Sequence, residues 1–174
     1  MWRDQFRFRT IAFVHETLYG LFRDPVAPLT AAGLRPGQRV LEVGCGPGFF
    51  TLPAAELVGP DGSVVSVDVS PTAVRHVQQK IERAGATNVQ VLLANAAHTG
   101  MPAASFDLIF VFGLGHVIGS PDALWSELHR LLRYDGTLAI EGRLRPPRDL
   151  FHLVERRDRI TRFSRAGAVA EPIP

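Results

Sequence analysis

Residues 40–48 read Val40-Leu41-Glu42-Val43-Gly44-Cys45-Gly46-Pro47-Gly48, an apolar run holding one carboxylate and then breaking into glycines at every second position. Arg39 to Val43, opened by the turn signal Arg35-Pro36-Gly37, is short and apolar enough to be a strand buried on both faces. The glycines beyond it allow a tight turn and a close approach of backbone to ligand. A helix starting after them would offer N–H groups to a carboxylate.

Outward from this loop, strand and helix signals alternate. Phe49 to Val58 reads as a helix closed by Gly59-Pro60-Asp61-Gly62, and Ser63 to Val69 as a β-branched strand. Ser70-Pro71 supplies an N-cap and a proline at the first helical position, predicting a helix to Ala84 that Gly85 stops. Val89 to Ala94 and Phe106 to Phe112 are the next strands. Ser120-Pro121-Asp122 caps a helix to Arg133, and Asp135-Gly136 turns the chain into a strand over Thr137 to Ile140. Before the first strand, Phe6 to Leu29 suggests one or two helices ending near Pro25 and Pro28. Such alternation implies an α/β fold: an open, mostly parallel sheet with right-handed crossovers and helices on both faces.

Composition fits one domain over residues 1–174, with 46% apolar and 21% charged residues, far from the signature of a disordered chain. No apolar run reaches the roughly 18 residues of a membrane-spanning helix, and the start MWRDQFRFRT is no signal peptide, so a cytoplasmic location is expected. A lone cysteine, Cys45, excludes an internal disulfide and a multi-cysteine metal site, so no metal is expected. It reads as a small apolar filler in the glycine loop. Of eighteen arginines, eight fall between Arg143 and Arg165, against a single lysine in the chain and a net charge of +2. That end is either a solvated face or, alternatively, a phosphate-contacting surface of a nucleic-acid or membrane-surface binding protein.

A dinucleotide fingerprint needs its third glycine three positions after the second, where Phe49 stands; here Gly48 comes one residue early. Glycine-x-glycine-x-glycine after an acidic residue resembles motif I of the class I S-adenosylmethionine-dependent methyltransferases, and nearer relatives resemble the small type 11 members. Ser105-Phe106-Asp107-Leu108-Ile109-Phe110 and Leu131-Leu132-Arg133-Tyr134-Asp135-Gly136-Thr137-Leu138 resemble further motifs of that family, in the right order over Pro36 to Glu141. The resemblance implies a Rossmann-like fold with S-adenosylmethionine as cofactor. It divides the chain into an N-terminal helical lid (1–35), a cofactor-binding core (36–142) and a shortened arginine-rich end (143–174). Glu42, Gly44, Gly46 and Gly48 then take the methionine end of the cofactor. Asp68, twenty positions after Gly48, suits a neutral ribose diol and would repel a phosphate there; its other reading is a helix cap. Asn95 stands where the family has an aspartate facing the adenine amino edge, although a turn role explains it equally well. Val69, Ala96 and Phe112, in the loops after the second, third and fourth strands, join the cofactor set.

Methyl transfer from a sulfonium demands alignment above all, and a general base only when the acceptor is a hydroxyl or a protonated amine. His116, after the fourth strand, is the candidate base, with His15 and Tyr19, one helical turn apart, behind it. No Asn/Asp-Pro-Pro-Tyr/Phe tetrad follows that strand, which speaks against amino-base methylation of nucleic acid, and the cysteines that arsenite methylation would need are missing. A small-molecule acceptor is therefore expected. Only eight residues, two of them prolines, separate Gly142 from Phe151, so the helix that relatives carry there is absent. Phe151 to Phe163 is then a closing hairpin, or a helix by pattern alone. The uncovered sheet edge raises the expectation of a homodimer.

Overall fold

The computed structural model describes residues 24–113 and 120–167. His15, Tyr19, His116 and the rest of the expected lid before residue 24 lie outside them. The elements are α1 (Val26–Ala32), β1 (Arg39–Val43), α2 (Thr51–Val58), β2 (Ser63–Asp68), α3 (Pro71–Ala84), β3 (Val89–Leu93), β4 (Phe106–Val111), α4 (Pro121–Leu131), β5 (Leu132–Glu141), β6 (Phe151–Arg157) and β7 (Ile160–Arg165). The strands form a seven-stranded sheet ordered β3-β2-β1-β4-β5-β7-β6, parallel except for β7, which runs antiparallel to β5 and β6. The expected Rossmann-like architecture is what the chain adopts.

Strand alternation sorts the core. Val40, Val64, Leu108, Phe110 and Ala139 pack against α1 and α2 on one face, while Leu41, Val43, Val65, Val67, Ile109, Val111, Leu138 and Ile140 pack against α4 on the other. Helix α3 adds Val77 and Ile81 over Val91. Glu42 pairs laterally with Ser66 and Phe110, and Phe110 with Ala139, so one row crosses the α1–α2 face of four strands. Two residues further along β1, β4 and β5 come Gly44, Phe112 and Glu141, which places them at the carboxyl ends of the strands. The order reverses between β1 and β4, the crevice where open α/β sheets bind ligands.

Two expectations need correction. Pro28 does not end a helix: it sits in the first turn of α1, where proline removes no intrahelical bond, with Pro25 as the N-cap, while the part of the expected helices before residue 24 lies outside the described residues. The Asp135-Gly136 turn does not precede β5 but lies inside it. Phe106 pairs with Leu132 and Leu108 with Thr137, so the ladder takes up Arg133 to Gly136 as an irregularity, and α4 passes directly into the strand at Leu132. Of the two readings of residues 151–163, the hairpin is observed, with no helix between Glu141 and Phe151.

The β6 edge carries its own protection. Between Leu153 and Glu155 the β6–β7 register shifts, and Arg156 and Arg157 follow, a bulge and charges of the kind that discourage edge-to-edge pairing. Among the described residues no helix is long and apolar enough to cross a membrane.

Candidate active site

The glycine loop is held from three sides. Gly44 and Cys45 donate their N–H groups to Val67 O at 2.8 and 3.2 Å, Gly48 donates to Cys45 O at 2.8 Å, and Gly46 donates to Asp68 Oδ2 at 2.9 Å. These amides are therefore committed inside the protein. What the loop offers is space. A Cβ at Gly46, φ +51°, would meet no atom within 4 Å, whereas one at Gly48, φ +77°, would lie 2.8 Å from Val77 Cγ2. Gly46 leaves room for a ligand; Gly48 leaves room for α3.

Below the loop Glu42 is 2% exposed, and the Thr51 and Ser66 hydroxyls both donate to its Oε2 at 2.6 Å. Burial pushes its pKa up to about 7 against the pull of those hydroxyl bonds, and the nearby Asp68 charge adds to the rise. Asp68 accepts from Gly46 N–H with one oxygen and from Ser70 N–H at 2.8 Å with the other, joining the loop to the start of α3. The helix-cap role goes to Ser70, whose Oγ accepts from Ala73 N–H. Each Asp68 oxygen keeps a lone pair for a diol. Lys80, the single lysine, reaches back from α3 and donates to Pro47 O at 3.2 Å and Gly48 O at 3.4 Å. Cys45 is buried, and burial raises its thiol well above the ordinary range, so it is the inert filler expected.

A cavity of about 560 Å³ opens over this floor. Glu42, Gly44, Cys45, Gly46 and Pro47 line one end, Phe49, Phe50, Phe112 and Gly113 one wall, and Ala27, Pro28 and Ala31 of α1 another; Glu141, Asp158, Arg159 and Asp24 complete the rim. Phe50 meets Phe112 edge to face at 5.2 Å, and Phe112 lies 4.9 Å from Phe110, so the aromatic wall continues into the core. Asp68, Val69, Asn95 and Ala96 are not among the lining residues. They stand at and just past the ends of β2 and β3, where Val69 and Leu93 are exposed apolar side chains. Asn95 uses Oδ1 to accept from Ala97 N–H at 2.9 Å, the turn role.

Sequence reading overlooked Asp24, Lys80, Glu141 and Arg159. Glu141 carried a signal, as the last residue of a strand on the ligand side of a parallel sheet; Arg159 reaches the cavity only because the hairpin turns at Asp158, φ +53°. Four of the eight arginines from Arg143 to Arg165 hold structure. Arg145 donates to Gly142 O and Leu144 O, Arg159 pairs with Glu141, Arg162 with Glu155, and Arg165 donates to Leu132 O while lying over the Tyr134 ring.

A methyltransferase-domain family matches residues 40–136. Nocamycin O-methyltransferase of Saccharothrix syringae is 34% identical over 142 residues, 80% of this chain and 51% of that protein. Aklanonic acid methyltransferase DauC of a Streptomyces species is 38% identical over 108 residues, 62% of this chain and 46% of its own length. The chain thus spans about half the length of these relatives. Among solved structures, a methyltransferase from Aquifex aeolicus superposes with a TM-score of 0.75 at 23% identity over 92% of this chain and 97% of its own, a likeness of fold.

Proposed function

The chain belongs to the class I S-adenosylmethionine-dependent methyltransferases, and from that membership we propose that it transfers a methyl group from S-adenosylmethionine to a small molecule held in the cavity. The observation that carries this reading is the cavity's course from the glycine loop on β1 to the ends of β4 and β5, at the reversal of strand order. The residues fit the cofactor: the open space at Gly46 admits it, the Glu42 and Asp68 carboxylates suit a cation and a diol, and the Val69 and Leu93 shelf suits an apolar ring.

When bound, S-adenosylmethionine would supply an electrophilic methyl on a sulfonium that is a good leaving group, and an acceptor bearing a proton would need to lose it to a base or water. The protein's own share is placement. Gly44, Gly46 and Gly48 set the floor, and Asp68 ties that floor to the nucleoside shelf of Val69, Asn95 and Ala96. Phe112 excludes water from the space beyond, and alignment of the reacting atoms is worth several kcal/mol of barrier. His116, three residues past the cavity-lining Gly113, is the base for an acceptor that must lose a proton, with His15 and Tyr19 as the other candidates.

The test is calorimetric titration with S-adenosylmethionine, S-adenosylhomocysteine and NADH. Micromolar binding of the first two, and none of NADH, is expected. Binding of none, or of NADH alone, overturns the proposal.

A further inference from the structure

We infer that Glu127, on α4, is a positioning residue for the nucleoside end of the cofactor: it pins Thr99 and so sets the turn that presents Asn95 to the adenine amino edge. This rests on the reading of the chain as binding S-adenosylmethionine, with Asn95 and Ala96 at its base.

Residues 94–105 join β3 to β4 without a helix or strand of their own. A connection of that length needs partners outside itself to keep one shape. Its first residue is tied to β2, where Ala94 N–H donates to Asp68 O at 3.0 Å. Asn95 then closes a small turn, accepting from Ala97 N–H at Oδ1 and from His98 N–H at its backbone oxygen, both at 2.9 Å. Immediately after that turn the hold comes from α4. Glu127 Oε1 accepts from Thr99 N–H at 3.0 Å and from Thr99 Oγ1 at 2.6 Å, and Thr99 Oγ1 in turn accepts from Met101 N–H at 3.2 Å. Arg130 braces the carboxylate, donating from Nε to Oε2 and from Nη2 to Oε1, both at 2.8 Å, and its Nη2 also donates to Met101 O at 2.7 Å. One carboxylate and one guanidinium thus hold both sides of Gly100.

The Glu127 side chain is only 11% exposed. The Arg130 hydrogen bonds outweigh burial and hold its carboxyl down to about 2, so the bonds to Thr99 are charge-assisted throughout the neutral range. Their consequence reaches Asn95 through the turn. With the Ala97 N–H fixed against it, Oδ1 is the atom that must stay in place, and its second lone pair can accept from an exocyclic amino group. Rotating the amide to offer its N–H₂ would strand the Ala97 N–H. The turn therefore locks Asn95 as an acceptor, and Glu127 locks the turn, the support that a ligand-reading side chain needs behind it.

The test compares S-adenosylhomocysteine with S-inosylhomocysteine, in which a 6-oxo group replaces the 6-amino group, by calorimetric titration of the full chain. The natural protein is expected to bind the adenosyl compound at least about tenfold more tightly, because the oxo group meets a fixed acceptor. In Glu127→Ala the turn is released and Asn95 can rotate, so the preference should fall below about threefold, with S-inosylhomocysteine affinity within about twofold of its natural value. Thr99→Val, which keeps the shape and the N–H bond but loses the hydroxyl bond, should narrow the preference by about threefold and keeps the test open if Glu127→Ala does not fold. A purely structural Glu127 would lower the thermal midpoint, or both affinities in proportion, and leave the preference intact; that result overturns the inference, as does the absence of any preference in the natural protein. Failure of S-adenosylhomocysteine to bind at all removes the cofactor reading as well, whereas tight binding with a preference that neither variant changes removes only the role of Glu127.

Discussion

On the β1–β2 side of the cavity, polar groups are fixed by neighbours in one stretch of chain. Glu42 is held by Thr51 and Ser66, Asp68 by Gly46 and Ser70, and the loop carbonyls by Lys80. On the β5–β7 side the wall is gathered from Asp24, Phe112, Glu141 and Arg159, four separate parts of the sequence, and the Glu141–Arg159 ion pair is long, with its guanidinium 65% exposed. On the function proposed above, the first side receives the cofactor and the second, more loosely tied, faces the acceptor. The contrast makes different demands on single residues, and substitutions expose them.

The largest effect is expected where the loop meets α3. Gly48→Ala places a methyl 2.8 Å from Val77, a stiff, buried side chain, at φ +77°. Overpacking and left-handed strain together cost about 2 to 5 kcal/mol of unfolding free energy. Gly46→Ala, φ +51° with open space above, should cost only about 1 to 2 kcal/mol of stability while blocking S-adenosylhomocysteine. Denaturant titration and calorimetry on both variants separate a glycine that serves packing from one that serves the ligand. Equal losses of stability would erase that distinction.

Glu42 comes next, because the rigid side carries a strained charge. Its pKa lies near 7 in the fold against an ordinary 4.5, so between those values the folded protein holds a proton that the unfolded chain has lost. Its contribution to stability is therefore greatest below pH 4.5 and falls as pH rises through 7, by about 3 kcal/mol in all. Glu42→Gln, which mimics the protonated side chain, should remove this fall, leaving the variant more stable than the natural protein at pH 8 but a weaker binder of the cationic cofactor. Parallel pH dependence of the two proteins' unfolding free energies would mean that Glu42 is not the group responsible.

The same contrast explains what could be read from the chain. The β1 loop, the paired Ser-Pro caps of α3 and α4, and the strands β1 to β4 were legible because each depends on residues within a turn or two; Ser70 and Ser120 accept from Ala73 and Ala123 as the capping pattern requires. The start of β5 was not, since pairing with Phe106 draws Leu132 into the strand and overrides the turn chemistry of Asp135-Gly136. Nor was Arg159, whose place depends on the β6–β7 register and a two-residue turn. Asp68 sits between these cases. Its position was legible, but its bond to Gly46 appears only in the fold. Asp68→Ala should weaken S-adenosylmethionine binding by about 1 to 3 kcal/mol, the range for leaving polar groups unpaired. Unchanged affinity in that variant would sink the ribose assignment.

Lys80 gives the smallest and most discriminating effect. Its ammonium donates to Pro47 O and Gly48 O, the carbonyls at the point where the loop enters α2, and it is the one lysine among eighteen arginines. A compact point donor can reach two carbonyls of a tight turn, where a planar guanidinium is bulkier and fixed in its donor directions. Lys80→Met keeps the apolar stem and removes both bonds, so about 1 kcal/mol should be lost. If the ammonium holds the loop in the shape that receives the cofactor, that loss appears in S-adenosylhomocysteine affinity, several-fold weaker, with the thermal midpoint almost unmoved. If the loop is held well enough by Val67 and Asp68, affinity stays constant and only stability falls. The rigidity of the cofactor side would then be a property of β1 and β2 alone, and α3 would serve only to cover them.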